Sequence, residues 1–158
     1  MFMIKKPIST LTDTMKKRSL QGSISAFFAL EVLDIYEVDI IGVECEDEFV
    51  GVFTRSDFEK NVIRRNLNPR HTTLYEVITL NPPRVPSDTS VKDTYEAMLA
   101  YQWDYMPVVD GNHLCGIVSM NDLGHSVVHS LEEMKTENDT IMDYLHGGES
   151  YAMASYRK

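Results

Sequence analysis

The sequence predicts a mixed α/β (α+β) fold made of two tandem copies of one β-α-β-β-α unit. Three observations carry this expectation. Gly51-Val52-Phe53-Thr54-Arg55-Ser56-Asp57-Phe58 returns 65 residues later (116 − 51) as Gly116-Ile117-Val118-Ser119-Met120-Asn121-Asp122-Leu123. Carried backwards without a gap, the same offset pairs Phe49 with Leu114, Val43 with Val108, Ile41 with Met106, Leu33 with Met98, Leu30 with Tyr95 and Ser25 with Ser90. Within each copy, a stretch of helical period precedes two short apolar runs separated by a turn, which is the pattern of a helix followed by a hairpin.

The second copy is the clearer. Ser90-Val91-Lys92-Asp93 reads as a capping box, with Val91, Tyr95, Met98 and Leu99 following as an apolar helical stripe. Met106-Pro107-Val108-Val109 is a short strand, Asp110-Gly111 a tight turn, and Leu114 to Val118 the returning strand; a helix starts at or just after Ser119. The first copy predicts a helix near Ser25–Leu33, strands near Ile40–Glu44 and Phe49–Phe53, and a helix from about Ser56. Its turn, Glu46-Asp47-Glu48, lacks Asp-Gly and predicts a longer or looser connection. Asn66 to His71 is rich in turn formers and separates the copies. Past Gly124, Val127, Val128, Leu131 and Met134 continue a helical stripe; a further helical piece near Thr140–Leu145 stops at Gly147-Gly148, ahead of a frayed end. The resulting division is 8–66, a linker at 67–73, 74–146, and a tail at 147–158.

The bulk numbers narrow the function. With 43% apolar residues over 158 positions, the chain can build a packed core. A formal net charge of −9 argues against general nucleic-acid or anionic-membrane binding, since both need a basic field. Cys45 and Cys115 form no metal-type spacing and sit in apolar contexts, so buried thiols in a reducing compartment are expected. The first residues show no secretory apolar region and no run of 18 apolar residues occurs; a soluble, cytoplasmic protein is the expectation.

The repeat resembles the CBS-domain family, and in particular a stand-alone tandem pair, or Bateman module. The residues that carry the likeness are Tyr105-Met106-Pro107-Val108-Val109-Asp110-Gly111, Leu114-Cys115-Gly116-Ile117-Val118-Ser119, Asp122-Leu123, Leu74-Tyr75-Glu76-Val77-Ile78-Thr79, and Val50 to Phe58. It covers about Leu11 to Leu145. The first copy departs from the pattern at Gly42 and Cys45, where Pro and Asp are usual. The resemblance implies a pseudo-twofold disc with two clefts that in many members hold AMP, ADP, ATP, NAD(H) or S-adenosylmethionine. It further implies ribose contacts from Thr54 and Asp57 in one cleft and Ser119 and Asp122 in the other. Each cleft is shared, so Asp57 would face Thr79–Val85 and Asp104–Met106, and Asp122 would face Met15–Ser19 and Asp39–Ile41.

The chemistry of those residues is suitable. An ionised carboxylate accepts from both ribose hydroxyls, and its charge roughly doubles the strength of each bond. The same Thr54-x-x-Asp57 and Ser119-x-x-Asp122 spacings are also capping boxes, a purely structural role that stays open. Candidate phosphate partners are Arg55, Lys60, Arg64, Arg65 and Arg70 for the Asp57 cleft, Lys16, Lys17 and Arg18 for the Asp122 cleft, and Arg84 near a cleft mouth. Ser56 stands where relatives carry Arg. An adenine slot would draw on Val85, Tyr105 and Met106 on one side and Ile40 and Ile41 on the other, with packing as the competing role. Trp103, the sole tryptophan, lies before a cleft strand. His125 and His129, followed by Glu132 and Glu133, could hold zinc, but Ser126 replaces the Glu that a zincin helix needs, so a partly exposed histidine pair is expected. Asn138-Asp139-Thr140 matches a glycosylation sequon without a secretory context.

The expected function is therefore a non-catalytic adenine-nucleotide sensor that acts in trans on a protein partner, forms a homodimer and needs no cofactor besides its regulatory ligand. The competing expectation is an interaction scaffold with vestigial clefts; a metal-dependent hydrolase is a distant third.

Overall fold

The computed structural model describes residues 5–12 and 18–125. In chain order these are α1 (Ser9–Thr12), β1 (Ser19–Gln21), α2 (Ala26–Tyr36), β2 (Ile40–Cys45), β3 (Glu48–Thr54) and α3 (Arg55–Phe58), which widens into a π-type turn over Glu59–Ile63. Then follow β4 (Thr79–Leu80), β5 (Val85–Pro86), α4 (Val91–Tyr101), β6 (Tyr105–Asp110) and β7 (His113–Ser119), with residues 120–125 helical again. One sheet has the order β1-β2-β3-β4 and the other β5-β6-β7.

The 65-residue offset holds in the backbone. It maps α2 onto α4, β2 onto β6 and β3 onto β7 end to end. The hairpin registers match pair for pair, from Ile40 opposite Thr54 and Tyr105 opposite Ser119 to the bulges at Val43/Glu44 and Val108/Val109. Ser25 and Ser90 cap the two helices by accepting from the N–H groups of Phe28 and Asp93. Both helices end on a left-handed residue, Glu37 at φ 56° and Gln102 at φ 55°. There the Val38 N–H reaches the Leu33 carbonyl and the Trp103 N–H the Met98 carbonyl. This abrupt stop turns each chain straight into its hairpin.

Three expectations need correction. The first hairpin is as tight as the second: Glu46 and Asp47 form a two-residue turn at φ 52° and 68°, where Gly111 takes φ 65° in the other copy. The neighbouring hairpin braces this costly geometry, because the Phe49 N–H donates to the Asn112 carbonyl and the His113 ring meets the Asp47 carbonyl. In α4 the buried stripe is Val91, Thr94 and Met98, while Leu99 is exposed. Thr94 is accommodated because its hydroxyl donates to the Ser90 carbonyl. Both cysteines are half-buried rather than buried: Cys45 lies at the end of β2, and Cys115 on the less covered side of β7.

Packing crosses the repeat boundary. Leu74 and Val77 belong to the first copy's cluster, with Leu33, Ile41, Val43, Phe53 and Val62. Ile8, from the start of the chain, belongs to the second copy's cluster, with Met98, Met106, Val108, Val118 and Leu123. A third cluster, containing Ile40, Phe49, Val52, Val109 and Leu114, joins the two hairpins. Gly42 makes this junction possible, since a Cβ there would run into the Leu114 side chain. Among the described residues no helix is long and apolar enough to cross a membrane. The expectations for residues 126–158 and for Lys16 and Lys17 lie outside the described residues.

Candidate functional site

The helix starts after β3 and β7 set the two sites. At the first, the N–H and hydroxyl of Thr54 donate to Asp57 Oδ2 at 2.9 and 3.0 Å, and the Asp57 N–H donates back to Thr54 Oγ1 at 3.0 Å. At the second, the Ser119 N–H donates to Asp122 Oδ2 and the Asp122 N–H to Ser119 Oγ, both at 3.0 Å. Both motifs are thus capping boxes. Capping does not account for the glycine that precedes them. A Cβ at Gly51 would collide with the carbonyl of Thr79, so Gly51 is what lets β4 lie against β3. That close approach lets the Thr79 hydroxyl donate to Asp57 Oδ1 at 3.0 Å.

Around each carboxylate lies a cleft between the copies. The Asp57 cleft, of about 430 Å³, has Val52, Thr54 and Asp57 on one wall and Gln102, Trp103, Asp104 and Tyr105 on the other. Thr79, Arg55, Ser56 and Lys60 also line it. The Asp122 cleft, of about 560 Å³, sets Ile117, Ser119 and Asp122 against Glu37, Val38, Asp39 and Ile40, with Arg18 and Asn121 beside them. Both volumes suit a small organic ligand. The left-handed caps at Glu37 and Gln102 are the local reason these walls stand where they do. The structure therefore brings each Asp against the opposite copy.

The remaining candidates divide clearly. Tyr105 lines both clefts and Ile40 lines the Asp122 cleft. Ile41 and Met106, one position on, are turned by strand alternation into the two cores, and Val85 is buried with Met106. These three line neither cleft. Among the cations, Arg55 and Lys60 line the Asp57 cleft and Arg18 the Asp122 cleft. Arg64 instead pairs with Glu59 at 2.7 Å, Arg70 lies over the Phe27 ring and Arg84 over the Phe49 ring. Arg65 is exposed and lines neither cleft. His125 is exposed, and among the described residues no cluster of three His, Cys, Asp or Glu could hold a metal ion.

Sequence reasoning missed how Arg55 is held. Its guanidinium pairs with Asp34 at 2.7 Å and with Asp39 at 3.3 Å, and the Asp34 hydrogen bond is the main cause of its raised pKa. The phenol of Tyr105 donates to the other oxygen of Asp39 at 3.4 Å. Burial first, and then the charge of Asp39, push its pKa above the ordinary value. Glu37 and Gln102 were also missed, although their shared place in the offset was a usable signal.

Comparison with known proteins agrees with the fold. Residues 74–129 match the CBS domain model. The chain is 21% identical over 145 residues to a CBS domain-containing protein of Arabidopsis thaliana, covering 87% of this chain and 27% of that protein. It is 22% identical over 155 residues to an uncharacterized protein of Methanocaldococcus jannaschii, covering 94% of this chain and 78% of that one. The chain thus spans about a quarter of the length of the plant relative. Among solved structures, a protein with CBS domains from Burkholderia ambifaria superposes with a TM-score of 0.69 at 19% identity, covering 78% of this chain and 94% of that one. Residues 74–129 thus match a CBS domain, and the described residues share the tandem CBS fold of that solved structure.

Proposed function

We propose that this chain is a non-catalytic regulatory module that binds an adenine nucleotide and acts in trans on a protein partner. CBS domains are regulatory modules in which nucleotide binding is common. The observation that most favours the reading here is the Asp57 cleft. A half-buried carboxylate stands at a helix start, opposite the other copy's Trp103 and Tyr105, with Arg55 and Lys60 in the same lining. A carboxylate for ribose, aromatic surface for a base and cations for phosphate are the three parts a nucleotide needs. AMP, ADP, ATP, NAD(H) and S-adenosylmethionine are the ligands to try.

The test is a thermal-shift and calorimetry panel with AMP, ATP, NADH and S-adenosylmethionine. At least one should raise the melting temperature of the wild type, since a ligand that binds only the folded state stabilises it by mass action. Asp57→Ala should abolish the shift or leave only the part owed to Asp122. Trp103 fluorescence should respond to ligand in the Asp57 cleft. If no member of the panel binds, the reading is wrong.

One group of observations favours a second reading, a homodimeric scaffold with vestigial clefts. Arg55 is already held by Asp34 and Asp39, and both oxygens of Asp57 already accept hydrogen bonds. Phe28, Ile35, Tyr36, Leu99 and Tyr101 meanwhile leave apolar surface exposed on α2 and α4. A stable dimer whose melting temperature ignores every nucleotide would support this reading.

A further inference from the structure

Asp39 and Tyr105 each line both clefts. They are joined: one oxygen of Asp39 accepts from the Tyr105 phenol at 3.4 Å, and the other lies 3.3 Å from Nε of Arg55. Arg55 also stands in the wall of the Asp57 cleft. One guanidinium therefore serves two purposes. It neutralises a carboxylate that the clefts share, and it is a cation that a phosphate entering the Asp57 cleft would draw upon.

The contact with Asp39 is the longer of the two that hold Arg55, 3.3 Å against 2.7 Å to Asp34, and the Arg55 and Asp39 side chains are 43% and 70% exposed. Exposed pairs of this kind contribute little net stability. A phosphate drawing Arg55 towards itself leaves Asp39 with its full charge, facing the Asp122 cleft beside Glu37. A second anion then meets Asp39 without its neutralising partner, in a cleft that Glu37 and Asp122 also line. By linkage the effect is reciprocal: a phosphate in the Asp122 cleft favours the state in which Arg55 stays on Asp39, and so withdraws a cation from the first cleft.

We propose that Arg55 and Asp39 couple the two clefts negatively for phosphate-bearing ligands, so that one bound nucleotide weakens the binding of a second. This rests on the adenine-nucleotide reading above and goes beyond it by making the clefts interdependent.

The experiment is calorimetric titration with ATP, and with adenosine as the probe that lacks phosphate. Asp57→Ala and Asp122→Ala each report the affinity of the cleft they leave intact. In the wild type the second ATP should bind at least about fivefold more weakly than the corresponding single-cleft variant does, the lower end of typical coupling between sites. Adenosine should show no such penalty. Asp39→Asn, a change at an exposed side chain, should bring the ATP coupling back to about one. Wild-type ATP affinities equal to those of the single-cleft variants overturn the coupling, as does a penalty that survives in Asp39→Asn or one that adenosine shares. Binding of ATP to one cleft alone in every variant also overturns it. If ATP binds nowhere, the nucleotide reading falls and the coupling falls with it.

Discussion

The two clefts share a backbone, a hydroxyl–carboxylate pair at the helix start and the side chains of Asp39 and Tyr105, and differ in much of the rest of their lining. Position for position along the 65-residue offset, the Asp57 cleft has Gln102, Trp103, Asp104 and Tyr105 where the Asp122 cleft has Glu37, Val38, Asp39 and Ile40. At the helix starts, Arg55 and Ser56 answer to Met120 and Asn121. What is common is what the backbone requires: a hydroxyl and a carboxylate to close the capping box, a left-handed helix end, and a bulge in the hairpin. What differs is charge and aromatic surface. The duplication has preserved the frame, and the chemistry on the two walls has diverged, so each cleft must be argued from its own residues.

The same contrast runs through the cores. Phe53 and Val118 occupy equivalent positions and both are fully buried. Phe53→Ala should destabilise the protein by about 3–5 kcal/mol, and Val118→Ala by roughly 2 kcal/mol, because fewer buried atoms are lost. Urea unfolding followed by circular dichroism measures both. The third cluster and the Phe49–Asn112 hydrogen bond tie the halves together, so both variants should unfold in one transition. Two separate transitions would show that the halves are independent units and would break the comparison at its base.

A smaller change sharpens it at the site. Gly51→Ala places a methyl group against the Thr79 carbonyl, which belongs to the backbone and cannot swing aside. A cost of about 1–3 kcal/mol is expected, the usual range for overpacking. The same displacement should weaken the Thr79–Asp57 hydrogen bond and leave the Ser119–Asp122 cap intact. Amide hydrogen exchange across β3 and β4, with β6 and β7 as the internal control, would show whether the damage is confined to one cleft.

Much of this frame was legible in the sequence, because apolar period and caps are local signals. Ser25 and Ser90 announced their helices, and the offset read from Gly51 and Gly116 placed both hairpins within a residue or two. The tight first turn was not legible: Glu46 and Asp47 have no preference for φ above zero comparable to glycine's, and what holds them there is the neighbouring hairpin. The crossing of Ile8 and Leu74 into each other's halves was not legible, since periodicity records neighbours along the chain and not distant partners. At the site, Asp57 and Asp122 could be picked out by motif. The pairing of Arg55 with Asp34 and Asp39 could not, because it joins residues from three different segments through long exposed side chains.

The gentlest test of the comparison uses Tyr105, whose counterpart Ile40 cannot titrate. Its phenol is held above the ordinary value of 10.0, by burial first and then by the charges of Asp39, Asp104 and Asp122. Asp39→Asn removes a nearby negative charge while keeping an amide oxygen able to accept, so the pKa should fall back towards 10.0 without reaching it, because burial remains. Ultraviolet difference titration against Tyr105→Phe isolates this one phenol from the other tyrosines. A raised folded pKa means that the folded protein keeps a proton which the unfolded chain releases. The associated stability is therefore complete below pH 10.0 and is lost as pH rises through the folded value. Asp39→Asn should make that loss smaller. An unchanged Tyr105 titration in Asp39→Asn would mean that the two clefts do not share this carboxylate, and their asymmetry would then be a matter of two separate walls.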